Sequence, residues 1–201
     1  LIVGLGNPGI TADSLGPEVI GNLHMTRHLI REYGLKSTEK QILHAISGIV
    51  PGVMGQTGME TSEIVEGVVE ITRPDVVIAV DALAARNTRR LNRTIQITDT
   101  GITPGSGVGN ARPKIDRQTM GVPVVSMGVP TVVDAMTLAA DLLGREEAGM
   151  EEEISPRGEP MVVTPREIDL LIDRAAKLVS MAINHALQPS FTLEDLGTLV
   201  S

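Results

Sequence analysis

Two runs that stay apolar until their last position constrain this chain more than any other feature. They are Leu1-Ile-Val-Gly-Leu-Gly-Asn7 and Val76-Val-Ile-Ala-Val80, the second followed at once by Asp81. Continuous rather than alternating apolar residues imply strands buried on both faces, the state of a parallel sheet with helices packed above and below. Ligand crevices in such sheets open where the strands stop. The first run goes on through Pro8 and Gly9 into Thr11-Ala-Asp13-Ser-Leu-Gly16-Pro17, so Asp13 and Asp81 both hang at the C-terminal ends of core strands. Two carboxyls placed there point to acid–base chemistry.

Other readings of the opening run are excluded by spacing. Gly4, Gly6 and Gly9 satisfy the dinucleotide pattern G-x-G-x-x-G, but that pattern requires a helix to begin at once. Residues 7–16 instead read as a loop, with Pro17 at a first helical position. Ser106 does not sit in a nucleophile elbow, because Pro104 stands where glycine is required. His24 and His28 have the one-turn spacing of a metal pair, yet no zinc-protease pattern accompanies them. The glycines of residues 98–113 can form an amide nest, without the Gly-Lys-Ser/Thr ending of a nucleotide loop.

Composition narrows the class further. The 201 residues suffice for one sizeable domain, and no internal repeat divides them. No cysteine is present, which removes thiolate nucleophiles, disulfides and Cys-bound zinc, and makes the cytoplasm the natural compartment. Seventeen basic against 25 acidic residues leave a formal charge of −8, the wrong sign for direct nucleic-acid binding. Tyr33 and Phe191 are the only aromatic residues, so base-stacking platforms are also missing. No apolar run approaches the ~18 residues of a membrane span, and the opening residues lack the charged start of a signal peptide. The chain starts inside a strand without a methionine, from which we expect a missing N-terminal segment.

Along the chain, residues 17–31 read as one helix closed by Gly34, residues 42–46 as a strand, and residues 49–58 as a glycine-rich loop lining the crevice. A helix over 63–72 is capped by Thr61 or Ser62 and stops before Pro74. The central strand spans 75–80, an alternating edge strand 93–98, and another buried strand 122–129. A helix follows to residue 143, with Asp134 as a favourable acid in its first turn rather than a site residue. Residues 144–160, with their Glu-Glu-Glu run, read as a flexible connection. Thr164-Pro165-Arg-Glu167 then reads as a capping box opening a helix to about residue 187, with a loose tail after Pro189.

Leu-Ile-Val-Gly-Leu-Gly-Asn-Pro-Gly at residues 1–9 and Thr26-Arg-His28 resemble peptidyl-tRNA hydrolases, but only locally, since that family's spacing and later Met-Asn motif are absent. A longer resemblance is carried by eight blocks in order. They are Thr11-Ala-Asp-Ser-Leu-Gly-Pro17, Thr26-Arg-His-Leu29, Ile49-Val-Pro-Gly-Val-Met-Gly55, Gly58-Met-Glu-Thr-Ser62, Val80-Asp-Ala-Leu-Ala-Ala-Arg86, Thr94-Ile-Gln-Ile97, Pro104-Gly-Ser-Gly-Val-Gly-Asn110 and Gly128-Val-Pro-Thr-Val-Val-Asp-Ala135. Together they resemble the germination protease of spore-forming bacteria. Thr103 stands where that family is expected to carry histidine.

The resemblance implies an atypical aspartic endopeptidase, made as a zymogen and assembled as a homotetramer, that degrades small acid-soluble spore proteins in the spore core. It implies a three-layer α/β/α fold with a mostly parallel sheet, phosphorylase/hydrolase-like and related to hydrogenase maturation proteases. The positions matching the family's catalytic aspartates are Asp13 and Asp81. No cofactor and no metal are expected, because cysteine and a zinc-protease helix pattern are absent and Thr103 replaces histidine, and chelation should leave activity intact. A hydrogenase-maturation endopeptidase that recognises a metal centre is the alternative enzyme, and an inactive zymogen or binding form the alternative state. The blocks at 49–62 and 104–110 favour the germination protease.

Overall fold

A computed structural model describes residues 1–34, 43–105, 112–144 and 161–190. Its elements in chain order are β1 (Ile2–Gly4), α1 (Leu15–Gly21), α2 (Arg27–Tyr33), β2 (Gly48–Ile49), α3 (Met54–Thr57), α4 (Thr61–Thr72), β3 (Val77–Ala85), β4 (Gln96–Thr98), α5 (Arg117–Met120), β5 (Val124–Asp134), α6 (Ala135–Leu143), β6 (Val162–Val163) and α7 (Ile168–Leu187). The sheet order is β2-β1-β3-β5-β4, with β6 also paired to β5. β2, β1, β3 and β5 run parallel, while β4 and β6 are antiparallel to β5.

The expected three-layer α/β/α arrangement is present. Alternate residues of each strand point to opposite faces. Ile2, Val80 and Val129 join Leu15 and Val19 of α1 and Ile172, Ala176, Val179 and Ile183 of α7 in one core. Val3, Val77, Ala79 and Val124 join Val65 and Val69 of α4 and Met120 of α5 in the other. Helix α1 lies so close on the sheet that a Cβ at Gly16 would stand 2.3 Å from the Leu5 carbonyl oxygen and 2.6 Å from that of Val80. Only glycine fits there.

The expected helix over 17–31 is instead two helices. Asn22 ends α1, its side-chain amide donating to the Glu18 carbonyl at 2.9 Å. Thr26 then exchanges bonds with the segment after the undescribed residues: its amide donates to Ile46 O at 3.0 Å, and its hydroxyl accepts from Ile46 N at 3.0 Å. This break puts His24 in the link and His28 on α2, so the one-turn helical spacing between them is lost. The expected strand at 42–46 is not one over its described part. Gln188, at the end of α7, satisfies the backbone of His44 there, accepting from its N–H at 3.2 Å and donating to its C=O at 2.9 Å. The pairing strand is Gly48–Ile49.

Both central strands are longer than expected. β3 continues past Asp81 to Ala85, and β5 past Val129 to Asp134, because the two pair along their whole length. Pro130-Thr131 reads as a stop in the sequence, but a register shift opposite Leu83 and Ala84 accommodates the proline, as bulges do. Glu60, not Thr61 or Ser62, caps α4, in a reciprocal box with Glu63. Asp134 caps α6 through the amides of Met136 and Thr137, the structural place expected of it. The expected capping box at Thr164 is not formed. Its hydroxyl donates to the Thr131 carbonyl at 2.9 Å, tying the segment to β5, and α7 starts at Ile168. Ser106, Glu151 to Glu153 and the tail from Phe191 lie outside the described residues.

Candidate active site

The crevice forms where the sheet order reverses, since β1 has β2 on one side and β3 on the other. β1 pairs with β3 only as far as Gly4 opposite Val80, and a last bond runs from Leu5 N to Val80 O at 2.8 Å. Asp81 is the next residue of β3, so it lies inside a nine-residue strand yet just beyond the end of its neighbour. That placement corrects the expectation of an acid at a strand terminus. The shorter strand, not the longer one, opens the crevice.

The chain leaving β1 brings the second acid back. Gly6 takes φ 113°, and a Cβ there would stand 2.0 Å from the Asp13 carbonyl oxygen, so only glycine permits this return. Asp13 ends a single 3-10 turn, Thr11–Asp13. The Thr131 hydroxyl holds that turn by donating to the Ala12 carbonyl at 2.6 Å. Asn7 donates its amide to Asp13 Oδ2 at 2.8 Å. The Asn7 side-chain oxygen accepts from Gly9 N at 2.9 Å and from Gln56 Nε2 at 2.8 Å, linking the turn to α3. The stretch expected as a loop at 49–58 thus carries α3 at Met54–Thr57, and Gln56 ties it to the Asn7 turn.

The two carboxyls are electrostatically unlike. Asp81 is 7% exposed, and its carboxyl is pushed up to about 8, first by loss of solvation and then by the charge on Asp13, against the hydrogen bond from Ala82 N. Asp13 is half-buried, and burial raises it too, opposed by the Asn7 amide, which stabilises the charged form. The fold therefore brings the two sequence candidates into one electrostatic unit. Burial raises both carboxyls, and their protons belong to the pair.

Asp81 stands opposite Gly128 in the β3–β5 register, where a Cβ would meet Leu83 Cδ1 at 2.5 Å. Asn7, Gln56 and Thr131 were not singled out from the sequence as site residues. The Asn-Pro-Gly turn was the available signal for Asn7, because an Asn side chain readily bonds the backbone two residues on. Among the described residues, no group of three or more His, Cys, Asp or Glu is arranged to hold a metal ion. A cavity of about 400 Å³ lined by Arg27, His44 and Arg73 opens at the opposite end of β1 and β3, beside Leu1 and Val76, away from the acids. No helix among the described residues is long and apolar enough to cross a membrane.

Residues 1–145 match the family model described as germination protease. The germination protease of Caldanaerobacter subterraneus subsp. tengcongensis is 45% identical, over 100% of this chain and 69% of that protein. Those of Clostridium acetobutylicum and Bacillus velezensis are 42% and 40% identical, over 100% and 98% of this chain and 69% and 68% of their own lengths. The crystal structure of a NiFe hydrogenase maturation protease from Thermococcus kodakarensis superposes with a TM-score of 0.45 at 19% identity, covering 92% of this chain and 90% of that one. That likeness is too slight to carry an inference. On the sequence comparisons, the chain belongs to the germination protease family of peptidases.

Proposed function

We propose that this peptidase is an aspartate-dependent endopeptidase that cuts small acid-soluble spore proteins during germination, with Asp13 and Asp81 as its reacting pair. The observation that carries the reading is the placement of both acids at the sheet's switch point, Asp81 just beyond the end of β1 and Asp13 on the turn that Gly6 brings back. Asp13, ionised, takes a proton from a water as that water's oxygen bonds to the scissile carbonyl carbon. Asp81, protonated, donates to the carbonyl oxygen as negative charge develops there. Collapse of the tetrahedral intermediate breaks the C–N bond, the proton on Asp13 passes to the leaving amine, and the hydroxyl proton returns to Asp81.

Two further features belong to this reading. Leu170 and Leu178 on α7 and Leu142 and Leu143 on α6 are exposed, and such apolar surface supports assembly as a homotetramer. Synthesis as an inactive zymogen and work in the spore core follow from the same resemblance. The test is digestion of a purified small acid-soluble spore protein by the full chain, with Asp13→Asn and Asp81→Asn as controls. Discrete fragments that both substitutions abolish would support the reading. Equal cleavage by both variants would overturn it.

A further inference from the structure

We infer that residues 81–85 of β3 form an open strand edge on which the substrate is bound as an added, extended β-strand beside Asp81. The inference rests on the aspartate-pair reading and adds to it how the peptide is held. Alternation along β3 fixes the direction of its backbone groups. Ile78 N bonds Leu1 O at 2.9 Å and Val80 O accepts from Leu5 N at 2.8 Å, both toward β1, whereas Val77 N bonds Pro123 O at 2.9 Å toward β5. Even-numbered residues therefore turn their N–H and C=O toward β1, and Ala82 and Ala84 continue that row. β1 has already ended there.

On its other side, β3 stays paired with β5 through Ala85, and β5 with β6 at residues 133–134. β3 is thus an inner strand up to Val80 and an edge strand from Asp81 onward. Among the described residues, no backbone group from another segment bonds the Ala82 carbonyl or either backbone group of Ala84 on the β1 side. The Ala82 amide is taken by the Asp81 carboxyl.

The residues of this edge favour a guest strand. Natural edges are blunted with lysine, proline or a covering segment. Here the row after the acid is Ala82-Leu83-Ala84-Ala85, with no charge and no proline, and Ala84 is exposed. Alanine is a poor strand former, so local propensity does not explain this extension, but its small side chain lets another backbone approach. A strand laid alongside would lie about 4.8 Å away. Backbone pairing of this kind suits an extended peptide with little side-chain demand, as in other strand-addition complexes.

The test compares Ala84→Pro, which removes the edge N–H, with Ala84→Ser, which keeps it, on a purified small acid-soluble spore protein. Loss of one such bond should raise KM roughly tenfold in Ala84→Pro, with kcat less affected and Ala84→Ser near wild type. An Ala84→Pro enzyme that folds and shows wild-type KM overturns the inference. Hydrogen exchange of the uncut full-length Asp13→Asn protein decides the matter if the proline variant does not fold. Slowed exchange at residues 82–85 on adding the spore protein supports strand addition, and unchanged exchange despite binding overturns it. Protection that grows with enzyme concentration alone would assign the edge to a second copy of this chain and also overturn it. Normal cleavage without protection sinks the edge and leaves the aspartate pair standing. If the wild-type enzyme neither binds nor cuts the spore protein, both fall together.

Discussion

The Asp13 charge raises Asp81, and Asp13 itself accepts the Asn7 amide hydrogen bond that favours its ionised form. The two acids therefore titrate as a coupled pair. A bell-shaped dependence of kcat/KM on pH is expected, with an alkaline limb near 8, where the pair gives up the Asp81 proton. The acid limb should lie above the ordinary aspartate value of 3.8, because burial raises Asp13. Initial rates at constant ionic strength check this. Activity that still rises beyond the alkaline limb would refute the assignment of Asp81 as proton donor.

Replacing Asp13 with Asn should act on Asp81 at a distance. With the Asp13 charge gone, the Asp81 carboxyl should titrate lower than in the wild type, while burial still holds it above a free aspartate. Carboxyl carbon NMR follows this directly. Turnover should fall by roughly 10²–10⁴-fold.

Asp81→Asn should lose activity by a similar factor of roughly 10²–10⁴, yet gain stability at neutral pH. The folded carboxyl keeps its proton up to about 8, whereas the unfolded one releases it near 3.8. Its contribution is therefore fully present below 3.8 and is lost as pH rises toward about 8. Asparagine does not titrate, so the variant's advantage in Tm should be small at pH ~4 and grow toward pH ~8. A Tm difference that does not change with pH would contradict the burial argument.

Gly6→Ala should displace Asp13. A Cβ there would stand 2.0 Å from the Asp13 carbonyl oxygen at φ 113°, so steric overlap adds to backbone strain of about 1–2 kcal/mol. Gly21→Ala, where a Cβ meets nothing within 4 Å, serves as the control. Activity and Tm should fall in the first and hold in the second.

Sedimentation of the full chain at micromolar concentration should show a tetramer. The exposed leucines of α6 and α7 are its expected contact surface, and Leu142→Lys with Leu178→Lys should shift the distribution to smaller species without unfolding the monomer. A monomer alone in the unmodified protein would remove this part of the proposal.

How far the sequence led can be read from single residues. The apolar runs at residues 1–6 and 76–80 revealed a parallel core because burial on both faces leaves no alternation. Asp13 and Asp81 stood out because acids are costly beside such runs. What stayed hidden depends on non-local partners. Thr26 breaks a helical pattern to meet Ile46, Thr164 abandons its cap for Thr131, and β3 runs beyond Asp81 because β5 continues beside it. Asn7 escaped notice as a site residue because its backbone amide holds Asp13, and a backbone group has no letter in the sequence.

The last helix also backs the turn that carries Asp13. α7 supplies much of one core layer, Ala12 of the Asp13 turn packs against that layer, and Gln188 and Asn184 reach back 144 to 162 residues to bond His44, Thr26, Asn22 and His24. The turn carrying Asp13 is held by Thr131 and Asn7 earlier in the chain, but the core layer behind Ala12 is completed only by residues up to Gln188. Removing the last helix should therefore uncover the back of that turn while leaving its hydrogen bonds to Thr131 and Asn7 in place.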